Sequence, residues 1–173
     1  LHEAQKAIDC MEKAFRLDST DARLFLELDQ LYKKMQKSHK DRLLIFMKYP
    51  ELVKQRDDLL LEEITLLNQT GDYQKAKELI DGHIFHPWEG GEGKVSCQYQ
   101  ISRVELAKQC IVKGDCQQAI SLLKECLVYP LHLGEGKLFG TPENDFFYLL
   151  GVTYERLGDD KSARLWWEKA AEG

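Results

Sequence analysis

Phe147-Tyr148-Leu149-Leu150-Gly151-Val152-Thr153-Tyr154 runs into Glu155-Arg156-Leu157-Gly158-Asp159, and four residues later into Ala163-Arg164-Leu165-Trp166-Trp167-Glu168-Lys169-Ala170. Phe147, Leu150 and Tyr154 recur at the three- and four-residue spacing of one helix face. Gly158 is placed to end that helix, because glycine takes the left-handed cap without a Cβ penalty. Asp159 follows where a carboxylate can accept from the free amides of a second helix. Gly151 and Ala163 are small, as two antiparallel helices in close approach require. Phe147, Tyr154 and Trp167 are large, filling the grooves between neighbouring pairs. Trp167 is expected in the core, so of the two tryptophans only Trp166 has any claim to meet a ligand, and core or edge packing is the favoured reading for the pair. The stretch therefore reads as a helical hairpin, with Ala170 closing its second face.

Working outward, the same features return upstream. A shift of 43 residues carries Gly71-Asp72 onto Gly114-Asp115, Ala76 onto Ala119, Leu79 onto Leu122, Pro87 onto Pro130, and Gly91-Glu92-Gly93-Lys94 onto Gly134-Glu135-Gly136-Lys137. The Gly158-Asp159 unit lies 44 residues beyond the second. Fainter copies run through Leu60, Ile64 and Leu67, and through Leu106, Ala107 and Cys110. The spacing predicts helices over 2–17, 21–36, 39–49, 53–70, 73–84, 96–113, 116–128, 142–157 and 160–171. Period-two alternation is missing outside the glycine-rich loops, so strands have little claim.

The aromatic, Leu-Gly, aromatic, Ala, aromatic order resembles the tetratricopeptide repeat. That resemblance implies an all-α fold: an α-α superhelix, or tetratricopeptide-like solenoid, of about four and a half helical hairpins forming a single domain over 1–173. Gln36-Lys37-Ser38 stands where Gly-Asp is expected, so the turn of that hairpin departs from the pattern. The opening at Leu1 reads as mid-helix, and the chain is expected to be a piece of a longer protein. Ala4, Ala7, Ile8, Met11, Ala14 and Phe15 would then form an apolar face that a missing N-terminal domain or a second copy covers, with self-association through helix 2–17 as one outcome.

Repeat spacing beyond the usual 34 or so residues means that something is inserted between hairpins. The inserts lie at 85–95 and 129–141, each containing Pro and several Gly. Loops of similar sequence at equivalent places should lie side by side, gathering Trp88, Glu89, Glu92, Lys94, His132, Glu135 and Lys137, with Asn144 at the start of the next helix. Loops on a rigid scaffold commonly carry function. The structural alternative has Trp88 and Leu131 plugging the crack between hairpins. Thr141 is expected to cap the following helix, with Pro142 as its first residue.

The totals exclude several classes. Lys and Arg number 24 against 29 Asp and Glu, a net charge of -5, so no clustered cations invite nucleic acid or an anionic membrane surface. No apolar run approaches the length of a membrane span. Five cysteines at irregular spacing are not a disulfide framework, which favours a reducing, cytoplasmic setting. Gly93-Lys94 and Gly136-Lys137 lack the earlier Gly and the following Ser or Thr of a phosphate-binding loop. His83 and His86, even with Cys97, do not make a four-ligand metal set. No cofactor is expected.

A narrower resemblance rests on Phe85-His86-Pro87-Trp88-Glu89-Gly90-Gly91-Glu92-Gly93, on Tyr129-Pro130 with Leu133-Gly134-Glu135-Gly136, on Pro142-Glu143-Asn144, and on Gly151-x2-Tyr154-Glu155-x-Leu157-Gly158-Asp159. These strings are similar to a bacterial family that joins an N-terminal β-rich domain of unknown function to tetratricopeptide repeats, and the likeness spans about residues 60–171. It implies a C-terminal repeat region whose companion domain looks carbohydrate-associated. Two functions follow as expectations. The first is a non-catalytic scaffold that docks a protein partner or the companion domain. The second is an accessory part of a carbohydrate-processing enzyme, with Trp88, Glu89, Glu92 and Glu135 lining a shared site.

Overall fold

The computed structural model describes residues 2–172, with side chains from Gln5 onward. Among the described residues every regular element is helical, in the tetratricopeptide-like arrangement the repeat implies. Two compact units divide at Gly71 and Asp72.

The first unit holds α1 (His2–Leu17), α2 (Ala22–Lys34), α3 (His39–Phe46), the short α4 (Pro50–Val53) and α5 (Asp57–Thr70). α1 packs on α2, and α3 on α5. Its centre is aromatic: Phe25 meets Phe15 at 5.4 Å and Phe46 at 5.0 Å, and Tyr49 stands edge-on to Phe15 at 5.1 Å. Two charged side chains, Arg42 and Asp29, are buried here as a pair. Arg42, 2% exposed, donates to both oxygens of Asp29 at 2.9 and 2.6 Å and to Glu62 at 2.5 Å. A buried guanidinium is tolerated only when paired, so the cluster fixes the register of α2, α3 and α5. With one guanidinium serving two carboxylates, burial wins at Asp29, whose carboxyl is pushed up. Burial also opposes ionisation of Glu62, but Arg42 and Lys33 together outweigh it and hold that carboxyl below its ordinary value.

The apolar face expected on α1 is covered in large part by this unit. Ile8 and Phe15 are buried, and Ala7, Met11 and Ala14 are half-buried. Glu12 accepts from the Tyr32 hydroxyl at 2.7 Å beside them. Ala4 lies outside the residues whose side chains are described.

The second unit holds α6 (Tyr73–Asp81), α7 (Lys94–Lys113), α8 (Cys116–Glu125), a 3-10 turn at Leu131–Leu133, α9 (Asn144–Arg156) and α10 (Asp160–Ala171). Each helix packs on the next in chain order. The repeat positions behave alike across the chain. Gly71, Gly114 and Gly158 adopt φ of 90°, 83° and 81°, and nothing crowds them, so conformation rather than space calls for glycine. Asp72, Asp115 and Asp159 accept from the amides of Lys75, Gln118 and Ser162 at 3.4, 3.1 and 3.0 Å. Ala76, Ala119 and Ala163 are fully buried. A Cβ at Gly151 would overlap the Trp167 indole, which accounts for the small residue there. Trp166 is not free: its ring stacks on Phe147 at 5.8 Å, and Lys169 covers it at 4.5 Å.

Several boundaries differ from the spacing. The expected helix 53–70 is broken after Val53, and α5 restarts at Asp57, where Asp57 and Asp58 suit a helix N-terminus. Arg56 clasps Asp58 at 3.0 and 2.7 Å across that restart. α9 begins at Asn144, so Thr141 and Pro142 do not start it. The Thr141 hydroxyl instead donates to the Leu138 carbonyl at 2.8 Å, within a turn that Gly140 makes at φ 76°. At the irregular turn, Gln36 takes the left-handed conformation at φ 56° and Ser38 caps α3 through the Asp41 amide.

Candidate functional site

α7 carries apolar residues on more than one face. Val95, Tyr99, Ala107 and Ile111 are buried against neighbouring helices. Ile101 and Val104 fall on another side and border a groove of about 370 Å³ between α7 and α9. Phe146, Tyr148 and Leu149 line it from α9. Both helices are locked in place. Arg103, 3% exposed, lies over the Tyr99 ring at 3.4 Å and bonds Asp81 on α6 at 2.5 Å and Glu125 on α8 at 2.8 Å. At one end Gln100 on α7 donates to the Tyr129 hydroxyl at 3.0 Å, and that hydroxyl approaches Glu143 at the start of α9 at 3.5 Å. At the other end Arg156 on α9 donates to the Ile111 carbonyl on α7 at 3.0 Å. These ties fix the groove's width without filling it. Preformed grooves lose little entropy when a ligand enters.

The charges along the groove are few. Lys108 pairs with Glu105 at 2.6 Å, one turn apart on α7. Asp145 lines the groove from the first turn of α9 and is exposed. Cys97 also lines the groove, and burial and the nearby Glu135 carboxylate push its thiol up, away from the nucleophilic thiolate.

The two inserts do lie together. The Phe85 amide donates to the His132 carbonyl at 2.8 Å, and Gly134 (φ 70°) is pressed so close to the Phe85 carbonyl that a Cβ would overlap it. A cleft of about 300 Å³ between the inserts brings together Trp88, Glu89, Glu92 and Glu135, beside His86 and Leu133. The other residues singled out by sequence are placed elsewhere. Lys137 pairs with Glu143 at 2.7 Å. Asn144 donates to the Ala170 carbonyl at 3.1 Å. His132 turns its ring towards Tyr99, 6.4 Å between centroids, and Lys94 opens α7 with its side chain exposed.

Within the cleft, Glu135 has a structural task. Gly93 caps α7 in the left-handed conformation and has no side chain to offer its amides. Glu135 supplies the missing acceptor from the other insert, taking the Gly93 amide at 2.6 Å and the Ser96 amide at 2.7 Å. Negative charge is favoured at that helix end. Trp88 folds over Gly91, whose added Cβ would meet the indole. Leu131, expected as a plug, is 98% exposed, and the plug is Leu133 at 1%.

The groove residues Ile101, Val104, Tyr148 and Leu149 were not singled out from the sequence. The available signal was a second apolar face on α7, with Ile101 and Val104 three residues apart. Arg103 had no such signal, because a buried arginine is recognised only by the partners that fold around it.

No protein-family model matches the chain. Among solved structures it resembles two crystal structures of MamA, both at 17% identity over 99% of this chain. One gives a TM-score of 0.59 and is covered over 88% of its length, the other 0.60 over 82%. Likeness at that identity shows the fold, a tetratricopeptide-like helical array.

Proposed function

We propose that this chain is a non-catalytic protein-interaction scaffold that seats a segment of a partner protein in the groove between α7 and α9. The observation that carries the reading is the groove itself: Ile101, Val104, Phe146 and Leu149 line it, while hydrogen bonds at both ends hold the helices apart. The resemblance of the inserts to a bacterial two-domain family supports reading the chain as a C-terminal repeat region, with the companion β-rich domain as one source of the docking segment. The accessory carbohydrate site is less well supported. It needs Glu135 as an available carboxylate, and Glu135 is engaged by two α7 amides. It also needs an open Trp88 face, and that indole lies on Gly91. The free thiols at Cys10 and Cys97 suit a reducing compartment, and we place the protein in the cytoplasm on that ground.

Titration calorimetry with amphipathic helical peptides tests this reading. Binding should be lost, by tenfold or more, in Ile101→Asn with the circular dichroism spectrum unchanged. Undiminished binding to that variant, with loss instead in Trp88→Ala, would move the docking face to the inserts.

A further inference from the structure

Resting on the groove as the docking face, we infer that its occupant is an amphipathic helix whose apolar stripe is flanked by lysine or arginine. Two observations lead there, one about shape and one about charge.

The groove's walls are two α-helices whose backbone amides and carbonyls are already bonded along each helix. Gln100, which lines the groove, already donates from its side-chain nitrogen to the Cys126 carbonyl at 3.0 Å and to the Tyr129 hydroxyl at 3.0 Å. An extended peptide entering here would give up water from its backbone and meet only a few scattered side-chain partners, which is costly for every buried amide left unpaired. A helix satisfies its own backbone and presents only side chains, the mode in which apolar anchors three and four residues apart enter a groove.

Charge then selects the flanks of that helix. Among the described residues that line the groove, the one cation is Lys108, and it is paired with Glu105 at 2.6 Å. Asp145 is exposed, and Tyr148, itself 58% exposed, follows one turn later on the same helix. Residues three apart on a helix are neighbours, so the carboxylate and the ring face stand side by side. A cation between them meets a negative charge and an aromatic face together. The α9 N-terminus offsets Asp145 by only about half a charge, so the spot stays acidic. A carboxylate brought here would meet like charge, and Lys108, the cation among the described lining residues, is already paired.

Fluorescence anisotropy decides the matter with two labelled synthetic helices of the same Leu pattern, one carrying Lys and the other Glu at every polar position, in physiological salt. The Lys helix should bind at least tenfold more tightly than the Glu helix. Asp145→Lys, which removes one exposed charge interaction and adds an opposite one, should shrink that ratio by about fivefold. Asp145→Asn, which keeps the side-chain shape and spares the fold, should shrink it by about twofold. Ile101→Asn should weaken both helices. Equal binding of the two helices, or a ratio untouched by both Asp145 variants, overturns the inference and leaves the groove as the docking face. Binding of neither helix, or binding indifferent to Ile101→Asn, overturns the groove reading along with it.

Discussion

The insert at 85–95 and the insert at 129–141 share Pro and Gly-Glu-Gly-Lys at matched places, yet they hold the molecule in different ways. Glu135 reaches out of the second insert and caps α7, the helix that follows the first. Its counterpart Glu92 is exposed beside the cleft. Gly134 is pinned against the Phe85 backbone, whereas its counterpart Gly91 lies under a movable indole. Asp81, just ahead of the first insert, binds buried Arg103, and at the matched place ahead of the second stands exposed Lys124. The second insert acts as a clip and the first is what it clips. Repetition of sequence thus does not mean repetition of role, because each role depends on which backbone the neighbouring loop brings within reach.

Matched substitutions break or sharpen that contrast. The largest difference should come from leucine. Leu133→Ala empties a buried position and should cost about 2–5 kcal/mol, while Leu131→Ala, at the tip of the same insert, should stay within about 0.5 kcal/mol. Urea midpoints of the two variants give the comparison, and equal losses would deny the second insert its anchoring role.

Next in size is glycine. Gly134→Ala faces left-handed strain of about 1–2 kcal/mol and a further 1–2 kcal/mol or so from the Phe85 carbonyl. Gly91→Ala, with ordinary φ and only the Trp88 ring to displace, should cost about 1–2 kcal/mol. Thermal unfolding followed by circular dichroism should rank the two in that order.

Smaller again is the carboxylate pair. Glu135→Ala removes the acceptor for two helix-end amides and should cost about 1–2 kcal/mol, with Glu92→Ala within about 0.5 kcal/mol. Hydrogen exchange at Gly93 and Ser96 should accelerate only in the first variant. Faster exchange in both would mean the inserts are equivalent after all.

Acid provides the gentlest probe. Burial opposes ionisation of Asp81, but its bonds to Lys77 and Arg103 outweigh it and hold the carboxyl below its ordinary 3.8. A carboxyl lowered by folding contributes stability above its unfolded value and loses it as pH falls through the folded one. Stability should therefore decline as pH drops below 3.8, and Asp81→Asn should flatten that decline. An unchanged slope in the variant would remove Asp81 from the account.

What the sequence made legible was local and repeated. Gly71, Gly114 and Gly158 with their following aspartates spell a turn whose chemistry lies within five residues, and the structure has that turn three times. Ala76, Ala119 and Ala163 signalled close approach by size alone, and all three are buried. Contacts across distance were not legible. Nothing distinguishes Glu92 from Glu135 in one dimension, since the difference is which helix end lies 39–42 residues away. Leu131 and Leu133 are two positions apart, and only the 3-10 turn between them sets which one enters the core. Gln36 at φ 56° shows that a left-handed turn can form without the glycine that would announce it. The groove was half legible. Ile101 and Val104 mark a second apolar side of α7, but the ties through Tyr129 and Arg156 that turn this side into a docking face join residues 29 and 45 positions apart.

The docking face is tested most directly by nuclear magnetic resonance on the labelled chain, titrated with the Leu/Lys helix. The account predicts shifts concentrated at Ile101, Val104, Phe146, Tyr148 and Leu149, with the inserts still. Shifts gathered at Trp88, Glu92 and Leu131, with those five positions unmoved, would contradict it.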